Sequence, residues 1–221
     1  MLFDPQTVKK LLEGINITGV LHIGAHDCEE LPFYTDCLNV PPDKIHWIEA
    51  IPFKVEECRK RNIPNVRQAI ITDTDNKQVS FNVSNNIQSS SILEFNTHAK
   101  EHPSVHYTNS FVSTSTTIDS FFKQNGIDAS RINFWNLDIQ GCELMALKGG
   151  CESIRYADVL YLEVNEQELY KECGMIQELD GFLASHQFQR ILTKMTPHGW
   201  GDAIYMRSPL VQNQCHEINN R

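Results

Sequence analysis

The stretch that most limits how this chain can fold is Gly19 to Glu30, GVLHIGAHDCEE, where a short apolar run, Val20 to Ile23, stops at Gly24 and gives way to an acid-rich turn. A strand of that composition, ending in glycine before a helix, opens a doubly wound α/β sheet whose ligand sits beyond the strand's carboxyl end. Three later runs read as its neighbours: Ile45 to Glu49 (IHWIE), Ile132 to Asp138 (INFWNLD) and Val159 to Glu163 (VLYLE). Each apolar run ends in a carboxylate, so the same rim collects several acids.

The remaining pattern fits one domain over residues 1–221. Asp4-Pro5 followed by Val8, Leu11 and Leu12 predicts a capped amphipathic helix closed by Gly14, so residues 1–17 form a helical cover over an edge or mouth of the fold. A helix from Glu29 to Leu38 should carry the chain back, and Ile51-Pro52 should start another with Phe53, Val55 and Cys58 against the sheet. Val66 to Ile71 reads as a strand, and Val79 to Val83 as a half-exposed one. Residues 84–115 are rich in Ser, Asn, Thr and His and show little periodicity, which marks a long binding loop facing the substrate. Cys142 to Leu147 and Gln167 to Leu183 have helical composition, the second interrupted at Gly174. Phe188 to Thr193 and Ala203 to Arg207 predict an antiparallel hairpin that finishes the sheet.

Composition excludes several functions. The formal charge is −9, without a marked basic cluster, so a polyanion such as nucleic acid is disfavoured as a partner. No apolar run approaches the ~20 residues of a membrane-spanning helix, and the first residues lack a signal-peptide pattern, so a soluble cytoplasmic protein is expected. The 7 cysteines include no C-x-x-C pair, which argues against a zinc knuckle or a disulfide framework and for reduced thiols. His98, His102 and His106 have the spacing of a helical ligand ladder, but Pro103 disfavours that helix, and no metal is expected.

The rim favours one class of ligand. A dinucleotide needs G-x-G-x-x-G so that its pyrophosphate can approach the backbone, whereas Gly24 is followed by Ala25, His26, Asp27, Cys28 and Glu29. An NAD(P)-dependent oxidoreductase is therefore an alternative reading, as is a non-catalytic binding module of the same fold. S-adenosylmethionine asks for a close backbone approach, acids near its cationic groups and a carboxylate for its ribose. Glu49 can accept both ribose hydroxyls, or it can cap the helix that follows it.

Taken as an ordered set, VLHIGAHDCEELPFY, WIEAIP, SSSIL, LDIQGCELMALKG and GWGDAIYMR resemble the FkbM-type methyltransferases, over about residues 18 to 207. The resemblance implies a class I, Rossmann-like methyltransferase fold: a doubly wound, mostly parallel sheet with a C-terminal antiparallel hairpin. It also implies S-adenosylmethionine as donor and O-methylation of a small-molecule or glycan acceptor. By position it assigns Gly24, Ala25 and His26 to the donor's methionine end, Glu49 to the ribose, Ala69 and Ile70 to adenine, and Asp138 to the heart of the motif. His22 and Ala50 join this donor-facing set. Where the family often has a second glycine, this chain has Cys28.

Transfer to an alcohol needs a base beside the methyl group. Asp138 and Glu163 end adjacent runs, and two close carboxylates raise one pKa, which suits proton abstraction; Asp138 can equally hold the donor's ammonium. His198, in the turn before the last strand, is the histidine candidate for base, against its reading as an exposed turn residue. Ser90, Ser91, His98 and Trp200 are the candidates for acceptor binding, while Trp135 is expected in the core.

Overall fold

The structure is a computed structural model that describes residues 1–211; Cys215 lies outside the described residues. Asp4 accepts the Thr7 N–H at 3.2 Å and caps α1 (Pro5–Leu11), whose leading proline sits where no intrahelical N–H is needed. β1 (Val20–Ile23) follows, buried along its whole length. The chain then runs outward through β2 (Ile45–Glu49), α2 (Pro52–Lys60) and β3 (Val66–Gln68). β4 (Ile70–Ile71), β5 (Gln78–Ser84), α3 (His98–Glu101), β6 (Tyr107–Thr116) and α4 (Ile118–Gln124) lead to the second half. That half comprises β7 (Phe134–Leu137), α5 (Glu143–Lys148), β8 (Val159–Asn165), α6 (Ile176–Ser185), β9 (Phe188–Met195) and β10 (Trp200–Arg207).

The main sheet has the order β3-β2-β1-β7-β8-β10-β9. It is parallel from β3 to β8, and β10 runs antiparallel to both β8 and β9. This is the expected doubly wound sheet with its terminal hairpin. The chain moves out from β1 to β3 and starts again on the other side of β1 at β7, so the reversal falls between β1 and β7. Side chains alternate between two cores: Leu21, Ile23, Trp135 and Leu137 pack on one face, Val20, Trp47, Phe134 and Tyr161 on the other. Trp135 is buried in the core as expected. Among the described residues, no helix is long and apolar enough to cross a membrane.

Several local expectations need correction. The strand expected over Val66–Ile71 divides at Ala69, whose N–H bonds the Glu49 carbonyl; β3 stays with the main sheet, and β4 turns away to pair with β6. β4, β6 and β5 form a second, 3-stranded sheet. The loop expected over 84–115 is therefore shorter, because β6 occupies Tyr107–Thr116, a strand whose mostly polar, solvent-facing residues carry no clear two-residue alternation. The helix after β1 is reduced to a tight π-helical piece, Phe33–Cys37, preceded by Pro32. Phe53 is 48% exposed rather than packed on the sheet, whereas Val55 and Cys58 are buried. Residues 167–175 are not helical: Tyr170 bridges to Phe95, and Gly174 packs so tightly on Leu144 that a Cβ would lie 2.6 Å from the leucine Cβ.

Gly24 has φ +90, and a Cβ there would lie 1.8 Å from the Asp138 carbonyl oxygen. The glycine is thus needed for backbone to meet backbone at the reversal point, in addition to its turn conformation. We expect Gly24→Ala to lower unfolding stability by more than about 2 kcal/mol in urea titration, since both the conformation and the space are wrong.

Candidate active site

Strand register places the acids. Ile23 pairs with Ile48 on β2 and Leu137 on β7, and Leu137 pairs with Leu162 on β8. The next positions are Gly24, Glu49, Asp138 and Glu163, and β10 sets Asp202 directly opposite Glu163. One row across neighbouring strands therefore reads Glu49, Gly24, Asp138, Glu163, Asp202. All these residues line one cavity of about 550 Å³ at the carboxyl ends of the parallel strands. Glu29 and Glu30 line it too, and among its described lining residues there is no lysine or arginine.

At the β2 end, the Gly24 and Ala25 N–H groups both bond the Ile48 carbonyl, at 2.9 and 3.0 Å. Glu49 Oε2 accepts the His26 N–H and Oε1 the Ile51 N–H, each at 2.8 Å. Burial pushes the Glu49 carboxyl up, and these backbone donors oppose that. Each oxygen keeps a lone pair for a further donor. His26 and Cys28 hold φ of 43° and 53°, so Cys28 occupies a left-handed position that a glycine would fill with less strain. Ala50 and Ala69 adjoin Glu49, and Ile51, Ile70 and Phe81 form an apolar cluster that also lines the cavity.

At the β7–β8 end, Gln140 Nε2 donates to Asp138 Oδ1 at 2.9 Å and to Glu163 Oε2 at 2.5 Å. Tyr170 Oη donates to Gln140 Oε1 at 2.6 Å. Burial raises Glu163 well above the usual carboxylate range, and the neighbouring charges of Asp138 and Glu143 add to the effect. Glu143, which accepts the Ile139 N–H at 2.8 Å, is pushed up to about 8, mainly by burial. Asp202 is raised by burial and accepts from Tyr161 Oη and the Leu2 N–H.

Beyond Tyr170 lies the neutral end. His98 stacks on Phe95 with ring centroids 4.4 Å apart and is 5% exposed, with Nδ1 lacking a partner. Burial, then His102, lowers it to about 4, so its ring is uncharged at neutral pH. Ser90 accepts the Ser84 N–H at 3.0 Å and, with His98 and Trp200, lines the cavity. The ladder expected to be loop forms one helical turn, α3, that ends at His102 before Pro103; His106 is exposed.

Of the residues singled out from sequence, Gly24, His26, Glu49, Ala50, Ala69, Ile70, Asp138, Glu163, Ser90, His98 and Trp200 line this cavity. Four do not. His22 points into the opposite core, with Nδ1 3.0 Å from Tyr34 Oη and its ring 4.9 Å from Trp47, because alternation turns it away from the rim. Ala25 is buried in that same core. The Ser91 hydroxyl donates to the Gln140 carbonyl at 3.0 Å, beneath the cavity wall. His198 lies outside, its Nδ1 3.0 Å from Glu101. Gln140, Glu143, Tyr170 and Asp202 were not anticipated. The left-handed Gln140-Gly141 pair just after a strand and the register of the final hairpin were the signals for Gln140 and Asp202; Tyr170 carried none. His26, Asp27 and Glu29 bring ligand-type atoms within 4.8 Å of one another, but Lys54 holds Asp27 at 3.0 Å.

Residues 22–190 match the sequence profile of the methyltransferase FkbM domain. The structure is similar to an FkbM methyltransferase from Methylobacillus flagellatus, at 16% identity and TM-score 0.55, over 85% of this chain and 43% of that one. The chain thus spans less than half of that relative's length. It is also similar to an O-methyltransferase from Bacillus cereus in complex with SAH, at 11% identity and TM-score 0.51, over 91% and 78% of the two chains. A third similar structure is TrmK from M. capricolum in complex with S-adenosylhomocysteine, at 9% identity and TM-score 0.50, over 94% and 69%. At these identities the likeness is one of fold, that of class I methyltransferases. No curated protein matches the sequence.

The raised acids have a thermodynamic sign. The folded chain keeps a proton on Glu143 up to about 8, whereas the unfolded chain releases it near 4.5, so the folded state binds more protons between those values and stability falls as pH rises. The histidines, whose ordinary pKa near 6.5 falls in the same window, are common to both proteins, so the comparison isolates Glu143: from about pH 6.5 to about pH 8 the unfolding free energy of Glu143→Gln, from urea titration, should fall less or rise more with pH than that of the wild type, by up to roughly 1 kcal/mol per pH unit.

Proposed function

The chain belongs to the FkbM methyltransferase family, and from that premise we propose that it is an S-adenosylmethionine-dependent O-methyltransferase acting on a hydroxyl of a sugar, a glycan or a small natural product. The observation that carries the reading is the Glu49 carboxylate, buried at the end of β2, oriented by backbone donors and still able to accept on both oxygens. That pair of lone pairs suits two vicinal hydroxyls. The adjoining apolar cluster of Ile51, Ile70 and Phe81 suits a flat base, and the cavity's carboxylates, with no lysine or arginine among its described lining, suit a cation. A pyrophosphate would meet those acids and find the Gly24 and Ala25 amides already engaged, which disfavours the nicotinamide alternative. The same charge disfavours a nucleic-acid acceptor.

The bound donor supplies a methyl group made electrophilic by its positive sulfur. The chain's own residues then have to place the acceptor oxygen and take its proton. Asp138 is the proposed base: its carboxylate faces the cavity, and the proton moves from the acceptor hydroxyl to Asp138 as the new C–O bond forms. Glu163, raised well above the usual range, holds its own proton beside it. Ser90, the neutral His98 imidazole and Trp200 supply hydrogen bonds and a ring face to an uncharged polyol. Of the segment 1–17, Met1 and Leu2 reach the cavity while Val8 of α1 and the following Leu12 pack into the opposite core, so the expected cover is confined to the first residues; we assign the segment 84–106 to the acceptor-facing loop of a single methyltransferase domain.

Calorimetric titration with S-adenosylhomocysteine tests the donor half: the wild type should bind, Glu49→Ala should bind at least tenfold more weakly, and Glu49→Gln should fall between them. Transfer of a labelled methyl group to a panel of neutral glycans, with Asp138→Asn slowed at least a hundredfold, tests the acceptor half.

A further inference from the structure

Gln140 touches both proposed acids, and nothing in methyl transfer itself calls for an amide at that point. Its Nε2 lies 2.9 Å from Asp138 Oδ1 and 2.5 Å from Glu163 Oε2, while its Oε1 accepts the Tyr170 hydroxyl at 2.6 Å. The backbone is left-handed, φ 56°, a conformation that costs a residue with a side chain roughly 1 kcal/mol. The Ser91 hydroxyl fixes its carbonyl from below at 3.0 Å, and Gly174 donates to the Gly141 carbonyl at 3.1 Å. An uncommon backbone conformation held from several sides aims one amide at two carboxyl groups. Because Oε1 takes the tyrosine proton, the amide has one orientation that satisfies every partner: its two hydrogens face the two acids.

Two carboxylates this close do not both ionise, and in a buried site both can be driven neutral. The surroundings push that way. Asp202 from β10 adds negative charge, as Glu143 from α5 does once it gives up its own proton, Tyr170 is neutral, and the nearby His22 on β1 is held below its ordinary pKa by burial. Donors that favour an ionised carboxylate are therefore what keeps a base available. We propose that Gln140, locked by Tyr170, is a positioning residue that ties Asp138 and Glu163 into an acid–carboxylate pair sharing one proton, so that Asp138 stays ionised to receive the acceptor's hydroxyl proton. The inference rests on the methyltransferase reading for its purpose. The balance is complete: the oxygen–carbon bond forms, the carbon–sulfur bond breaks with its electron pair remaining on sulfur, and the hydroxyl proton passes to Asp138.

Infrared difference spectroscopy across pH tests this without donor or acceptor. Besides the Glu143 carboxyl, which Glu143→Gln removes, the wild type should show at pH 7 a protonated-carboxyl stretching band that Glu163→Gln removes. In Gln140→Leu the loss of the bridging donors should raise the pH at which carboxyl protons are released by about one unit, a tenfold change in proton affinity. Tyr170→Phe should shift it in the same direction by less. Gln140→Asn, which keeps a residue tolerant of the left-handed backbone but withdraws the amide by one carbon, should reproduce the leucine shift and guards against a variant that fails to fold. A wild type with no protonated-carboxyl band at pH 7 that Glu163→Gln removes, or Gln140 variants that titrate like the wild type, overturns the inference. The methyltransferase reading fails separately, if the wild type binds no S-adenosylhomocysteine while the shared proton is still seen.

Discussion

The close approach of Gly24 to the Asp138 carbonyl is the contact from which the rest of the site follows. Two parallel strands run out at the point where the sheet reverses direction, and their chains come together because one of them carries no side chain there. That contact keeps β1 and β7 in register to their last residues and lines up the acids that follow them. Asp138 ends up beside Glu163, Glu163 opposite Asp202, and Glu49 at the far end of the same row. The glycine works through strand packing, because its own N–H is committed to Ile48.

A row of buried acids is an electrostatic load on the fold. The chain meets it in two ways: backbone donors at Glu49 and Glu143 offset part of the burial, and protons kept on Glu163 and Glu143 reduce the charge. The load has a chemical consequence. A cavity lined this way has its own attraction for a cation, and it sets the Glu163 carboxyl, raised by burial, beside Asp138 on the same wall.

Much of this was legible in the sequence, and the reasons are specific. Strands that end in an acid announce both their place and their rim, so Glu49, Asp138 and Glu163 were found by position alone. Long-range structure was less visible. β6 was hidden because a strand exposed to water and rich in Ser, Thr and Asn lacks the alternation that reveals strands. Alternation also explains His22: adjacency in sequence suggested the rim, but the residue before an inward-facing Ile23 faces the other way. Tyr170 was beyond reach, since it meets Gln140 only after a non-helical segment folds back against Phe95. The serine-rich run mixed two roles, with Ser90 on the cavity and Ser91 beneath it.

The central claim is that this carboxylate row and its apolar neighbour form a cavity for a cationic nucleoside. A crystal structure of the protein grown with S-adenosylhomocysteine tests it most directly. The account predicts ribose hydroxyls on the Glu49 carboxylate, the base against Ile51, Ile70 and Phe81, and the sulfur facing Asp138. A nucleoside bound away from this row, or one whose ribose leaves Glu49 untouched, would contradict it.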